Sequence, residues 1–139
     1  LIIGERMAEE VKIKIGSAMP FHPKKTIEVK GRDAISGLPK SVSIDSTEVT
    51  SAIAPILNYI VECVKNVLEQ TPPELASDII DRGMVLTGGS ANLRGLDRLI
   101  STQTNVPAHV AEDSQRAVVY GTGMALENIE VWKRLLYTR

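Results

Sequence analysis

Met7, Val11 and Ile15 recur every four residues with Ala8 beside them, so Glu5 to Ile15 is expected to form a helix with one apolar stripe. Gly16 follows at the stop position. Ser17 to Lys25, interrupted by Pro20 and Pro23, reads as loop. The period then drops to two. Thr26-Ile27-Glu28-Val29-Lys30 and Ser41-Val42-Ser43-Ile44-Asp45 alternate as half-buried strands do. Gly31-Arg32-Asp33 is expected to turn, and the two strands to pair across a long hairpin loop. Asp45 and Glu48 have capping-box spacing. Val49, Ala52, Ile53, Ile56, Leu57, Ile60, Val61, Val64, Val67 and Leu68 then keep helical spacing for about six turns. Pro55 lies inside this run and predicts a bend or break near Ile53 to Ala54. Pro72-Pro73 ends the helix, and Glu74 to Ile80 is expected to make one short helical turn.

The second half changes character between Thr71 and Asp81. Gly83 to Thr87 reads as a short buried strand stopped by Gly88-Gly89-Ser90. Leu93, Leu96, Leu99 and Ile100 mark a helix, Val106 to Val110 a second strand, and Ser114 to Leu126 a helix rich in small residues. Glu127 to Tyr137 continues that helix or forms another. Strand–helix–strand–helix order points to α/β layering with adjacent parallel strands.

Composition narrows the function classes. The 139 residues carry 16 Lys+Arg against 17 Asp+Glu, so no broad attraction to nucleic acid or anionic lipid is expected. Lys24-Lys25 and Lys40 are too scattered for a nucleic-acid footprint. A single cysteine excludes an internal disulfide, and no Cys/His cluster asks for zinc. No uninterrupted apolar run of ~18 residues is seen, nor a secretory signal. The first residue is Leu, so the chain is expected to be a piece of a longer protein.

Two places can carry chemistry. In Met84-Val85-Leu86-Thr87-Gly88-Gly89-Ser90 an apolar strand runs into two glycines and a capping residue. Bare backbone there can turn sharply and touch a ligand, with Ser90 capping the turn that follows. A plain tight connection explains the same residues. The turn is neither a Walker A loop nor GxGxxG. In the first helix, Glu9 and Lys12 face away from the apolar stripe, with Glu5 and Gly16 beside them. A carboxylate and an ammonium one turn apart can clasp a flat polar group, Glu9 accepting from ribose hydroxyls and Lys12 lying along a base. On spacing alone a solvated i,i+3 salt bridge is the simpler reading. Cys63 is expected in the core. His22 and His109 lack metal-ligand spacing. Glu112-Asp113 reads as charge at a helix start, and Trp132 and Tyr137 as packing or an interface edge.

Gly4-Glu5-Arg6-Met7-Ala8-Glu9-Glu10-Val11-Lys12-Ile13-Lys14-Ile15-Gly16-Ser17-Ala18 resembles the MreB family of bacterial actin homologues. So do Ile27 to Arg32, Pro72 to Ile79, and Arg82 to Gly89, in the family's order over nearly the whole chain. The resemblance implies an actin-like (ribonuclease H-like) α/β fold, of which this chain is the second lobe. Residues 1–70 would form its small outer α+β subdomain, and 71–139 part of its inner α/β subdomain with the C-terminal helix. It further implies ATP with magnesium as cofactor. By position, Arg6, Glu9, Lys12, Gly88, Gly89, Ser90 and Ala91 become the cofactor-binding residues, which reverses the simpler reading of Glu9 and Lys12. No catalytic or metal-ligating residue is expected in the chain. The family's phosphate-gripping hairpins and magnesium-arranging groups lie upstream of its matching part. The intact protein is therefore expected to be an ATPase and these 139 residues alone inactive.

The chain departs from the family pattern at two places. A third glycine and then Ala-Leu-Leu are usual where this chain has Ser90-Ala91-Asn92-Leu93, and Asp-Pro where it has Asp113-Ser114. As partners the resemblance implies self-association into filaments and membrane-associated cell-shape proteins, with membrane contact only through a missing N-terminal part. The implied location is cytoplasmic, at the inner face of the cell membrane, where filaments organise cell-wall synthesis. The alternative is a nucleotide-independent interaction module whose glycine turn is only structural.

Overall fold

The computed structural model describes the backbone of residues 1–136 and the side chains of residues 1–133. Helix α1 spans Glu5–Ile15, and strands β1, Thr26–Arg32, and β2, Pro39–Asp45, form an antiparallel hairpin. Helix α2, Ser46–Glu69, leads to α3, Pro73–Arg82. Strand β3, Met84–Leu86, is followed by a 3-10 turn at Gly89–Asn92, α4, Leu96–Thr104, and β4, Ala108–Val110. Helices α5, Ala117–Glu127, and α6, Ile129–Leu136, complete the described chain. Strands β3 and β4 pair in parallel with Val85 opposite His109, as the strand–helix–strand order requires.

Alternation places Ile27 and Val29 on the inner face of β1, with Val29 almost fully buried. Val29 packs with Val11 and Ile15 of α1 and Val49 of α2, with Met7, Ile27 and Ile44 around them. Ala8 lies outside this cluster and is exposed, because its position on the wheel carries it off the stripe. A second cluster forms around Leu57, Val61, Leu96 and Ile100, with Ala18 and, from the strands, Met84 and Leu86. Helix α2 therefore supplies both: Val49 in its first turn to one, Leu57 and Val61 to the other.

Several elements differ from expectation. The hairpin is longer than its alternating residues: Gly31 and Arg32 belong to β1, paired with Lys40 and Pro39, and the loop is short. Ile2 extends this sheet by bonding both ways with Arg32, at 2.7 and 2.9 Å. Gly31 is needed there, because a Cβ would meet the Ile2 carbonyl oxygen. Helix α2 runs unbroken through Pro55. Pro55 and Ser51 are both exposed, so the Ser51 carbonyl that loses its helical partner is open to water. At 24 residues α2 is also long and apolar enough by composition to cross a membrane, although polar side chains interrupt every apolar run. Here it is the shared core helix.

Helix α3 is a full ten residues with Pro73 in its first turn, where a missing N–H costs nothing. Strand β3 is not buried, since Val85 is 57 % exposed on the face away from α4. Helix α5 starts at Ala117, three residues after Ser114, which is held by other bonds described below. Asp113, expected to charge that helix start, sits at positive φ and pairs with Arg116 at 3.2 Å. Cys63 is exposed, on the side of α2 turned away from Val61 and Val64. Trp132 is partly exposed, and Tyr137 lies outside the described residues. No residue of α5 is buried, although Val118, Val119, Met124 and Leu126 are all apolar.

Two carboxylates hold the hairpin and the helix that follows. Asp33 takes the Lys40 ammonium at 2.8 Å and accepts from the Ser36 and Ile35 N–H groups, which holds its carboxyl far below the usual range. Asp45 caps α2, accepting from the N–H groups of Glu48 and Thr47 at 2.9 and 2.7 Å, while Glu48 returns the bond to the Asp45 N–H. These bonds, helped by Lys24, lower the Asp45 carboxyl below its ordinary 3.8. A carboxylate lowered on folding stabilises above its unfolded pKa, and the benefit disappears as pH falls through the folded value. Asp45→Ala should therefore lower the melting temperature at pH 7, with the gap to wild type closing as pH drops below about 3.8. Ile100→Ala, in the second cluster, should cost about 2–5 kcal/mol in chemical denaturation at neutral pH.

Candidate functional site

Helix α1 presents Glu9 and Lys12 on one side, and Lys12 Nζ meets Glu9 Oε2 at 2.6 Å. The helix closes with the Gly16 N–H donating to the Lys12 carbonyl at 2.9 Å. A Cβ at Gly16 would run into that same oxygen, so the residue is glycine for close approach, not for a left-handed turn. Directly after it the chain is fastened. Ser17 bridges Arg94 in parallel register, and the Ala18 N–H donates to the Arg94 carbonyl at 2.8 Å. The Ser17 hydroxyl, on a residue 1 % exposed, is shared between the Met19 carbonyl at 2.6 Å and the Arg94 carbonyl at 3.1 Å. Thr50 of α2 donates to the Ser17 carbonyl at 3.0 Å. The Arg94 guanidinium lies over the Phe21 ring, 4.4 Å from its centroid.

Arg94 stands just beyond the glycine turn, so this fastening brings the turn opposite α1. Gly88 has φ 89° and ψ 170°, a conformation essentially reserved for glycine. Its N–H donates to the Ser114 carbonyl at 2.7 Å, and the space where a Cβ would stand is open. Because Gly88 sets the turn, Ser90 already lies inside it and does not cap it; its carbonyl accepts from the Leu93 N–H at 3.0 Å.

Between the two elements lies a cleft of about 590 Å³, within the range of small-molecule sites. Glu9, Lys12 and Gly16 line one side, and Gly89, Ser90, Asn92 and Arg94 the other, with Gln115 beside them. Ile13, Ile53, Ile56, Leu57 and Ile60 form an apolar wall. Of the residues singled out in the sequence, Glu9, Lys12, Gly89 and Ser90 meet at the cleft. Gly88 and Ala91 belong to the turn without lining it, and Ala91 is buried behind it. Arg6 is not among the lining residues; its side chain is 95 % exposed, with Nε 3.6 Å from Glu10 Oε1. Asp33 and Asp45, the lowered carboxylates, also stand outside it. Among the described residues no group of three or more His, Cys, Asp or Glu could hold a metal ion.

Ile13 was readable from spacing, four residues after Glu9 on the same face. Arg94 and Gln115 carried no local signal: the Ala18–Arg94 bond places the first, and the second follows Ser114, which is bonded to Gly88 and Asn92. Chemically the cleft offers one ion pair, exposed main chain at a glycine, neutral amides and an apolar wall. That set suits a flat, uncharged ring with hydroxyls attached.

Comparisons with known proteins point to one family. The family model described as MreB/Mbl protein matches residues 1–134. The cell shape-determining protein MreB of Escherichia coli is 49 % identical over 130 residues, covering 94 % of this chain and 38 % of that protein. The cell shape-determining protein Mbl of Bacillus cereus is 46 % identical over 130 residues, covering 94 % and 39 %. The chain thus spans well under half the length of these relatives. The crystal structure of MreB5 of Spiroplasma citri bound to AMPPNP superimposes with a TM-score of 0.88 at 36 % identity, over 95 % of this chain and 40 % of that one. The expected actin-like α/β fold is therefore the one observed.

Removing the Ser17 hydroxyl tests the fastening. Ser17→Ala leaves the Met19 carbonyl without its donor and takes one donor from Arg94. It should cost about 1–3 kcal/mol, read as a lower denaturant midpoint with an unchanged slope.

Proposed function

The chain belongs to the MreB/Mbl family, and we propose that its cleft holds the adenosine end of ATP for an actin-like protein that determines bacterial cell shape. The observation that carries this reading is the convergence of Glu9 and Lys12 with Gly89 and Ser90 on one cleft. Glu9 accepts hydrogen bonds from ribose hydroxyls. Lys12 lies along the base, whose other face meets Ile56 and Ile60 of the apolar wall. The glycine backbone lets the nucleotide approach main-chain N–H groups that a side chain would screen. The existing Glu9–Lys12 pair is part-exposed on both sides, so exchanging some of it for ligand contacts costs little.

Residues 1–70 then act as the outer and 71–139 as the inner subdomain of one lobe. The rest of a longer protein supplies the grip on phosphate and magnesium, and it packs on the uncovered apolar side chains of α5. Such a helix, apolar around its circumference, is stable when covered. Binding of ATP closes the cleft, and protomers associate into filaments at the inner face of the cell membrane. The 139 residues alone bind adenosine weakly and do not hydrolyse ATP, because phosphoryl transfer needs phosphate and metal held together.

Titration of the full-length protein with ATP tests this. Glu9→Ala should weaken binding about 10- to 100-fold, the loss of charge-assisted hydrogen bonds. Gly88→Val should weaken it as strongly, since φ 89° excludes a β-branched residue. Unchanged affinity in both variants would refute the site.

A further inference from the structure

Ser114 is polar yet only 2 % exposed, and nothing in the packing of the strands calls for it. Its two bonds both go to the glycine turn. The Ser114 carbonyl accepts from the Gly88 N–H at 2.7 Å, at the start of the turn. The Ser114 hydroxyl donates to Asn92 Oδ1 at 3.1 Å, at its end.

That bond has a consequence for the cleft. A carboxamide has one acceptor oxygen and two N–H donors. Oδ1 faces Ser114, which leaves the Nδ2 donor edge on the other side of the carboxamide. Asn92 is exposed and lines the cleft beside Gly89 and Ser90. We infer that Asn92 is a nucleotide-contacting residue, donating from Nδ2 to an acceptor oxygen or ring nitrogen of the ligand, and that Ser114 is the positioning residue that keeps this donor edge turned inward. The inference rests on the reading that the cleft holds a nucleotide, and adds to it a neutral donor on the side opposite Glu9 and Lys12.

ATP titration of the full-length protein, with Glu9→Ala run in parallel, tests it. Asn92→Leu removes the donor at similar size and should weaken affinity about 3- to 10-fold, the worth of one neutral hydrogen bond. Asn92→Asp keeps an acceptor for Ser114 but loses the donor, and should weaken binding at least as much. Ser114→Ala should weaken binding too, and adding it to Asn92→Leu should cost nothing further, because both act through one contact. Asn92→Leu also leaves the buried Ser114 hydroxyl without its acceptor and should lower the thermal midpoint, whereas Asn92→Asp keeps that acceptor and should keep the midpoint, so weakened binding in Asn92→Asp separates ligand contact from a structural role. Wild-type affinity in Asn92→Leu, alongside a weakened Glu9→Ala, would overturn this inference and leave the cleft reading standing. Additive losses from Asn92→Leu and Ser114→Ala would overturn the role of Ser114. No ATP binding by the wild-type protein would remove the cleft reading and this inference with it.

Discussion

The parallel bridge between Ser17 and Arg94 is the constraint on which the cleft depends. These residues are 77 positions apart, and their pairing sets the end of α1 against the segment that leaves the glycine turn. Three donors converge on two carbonyls there: the Ala18 N–H and the Ser17 hydroxyl on Arg94, and the Thr50 hydroxyl on Ser17. Ser17 and Ala18 are buried, so slipping the register would strand several polar atoms at once. The cost of that slip holds Glu9 and Lys12 at a fixed distance from Gly89.

Helix α2 makes the bridge rigid. Its first turn is fixed by the Asp45–Glu48 capping box, Val49 enters the cluster under the hairpin, and Leu57 and Val61 enter the cluster under α4. A single helix therefore ties the half of the chain that carries Glu9 to the half that carries Gly88. It also gives the cleft its apolar wall through Ile53, Ile56 and Ile60. Support and cleft wall are two faces of one element, and for that reason Ile56, 65 % exposed, is not a packing defect.

Local chemistry carried most of the fold. The four-residue recurrence of Met7, Val11 and Ile15 placed α1 to the residue, and the Asp45–Glu48 spacing marked the start of α2. Most of the errors share a cause: each came from a residue whose fate is set by a distant partner or by water. Pro55 reads as a breaker but stands where solvent can serve the freed carbonyl. Gly31 reads as a turn but is a strand residue that lets Ile2 approach. Ser114 reads as a helix start but is spent on Gly88 and Asn92. Ala8 and Cys63 read as core because periodicity gives a stripe without its width. At the cleft, spacing could name Glu9, Lys12 and the glycines, and only the tertiary bridge could bring them together with Asn92, Arg94 and Gln115.

In the proposed site α1 and the glycine turn hold one nucleotide between them. Hydrogen–deuterium exchange of the full-length protein, with and without ATP, addresses it directly. Backbone amides in α1 through Gly16 and in residues 86–93 should slow together, and with the same dependence on ATP concentration. Protection confined to one of the two segments, or appearing in neither at saturating ATP, would contradict the account.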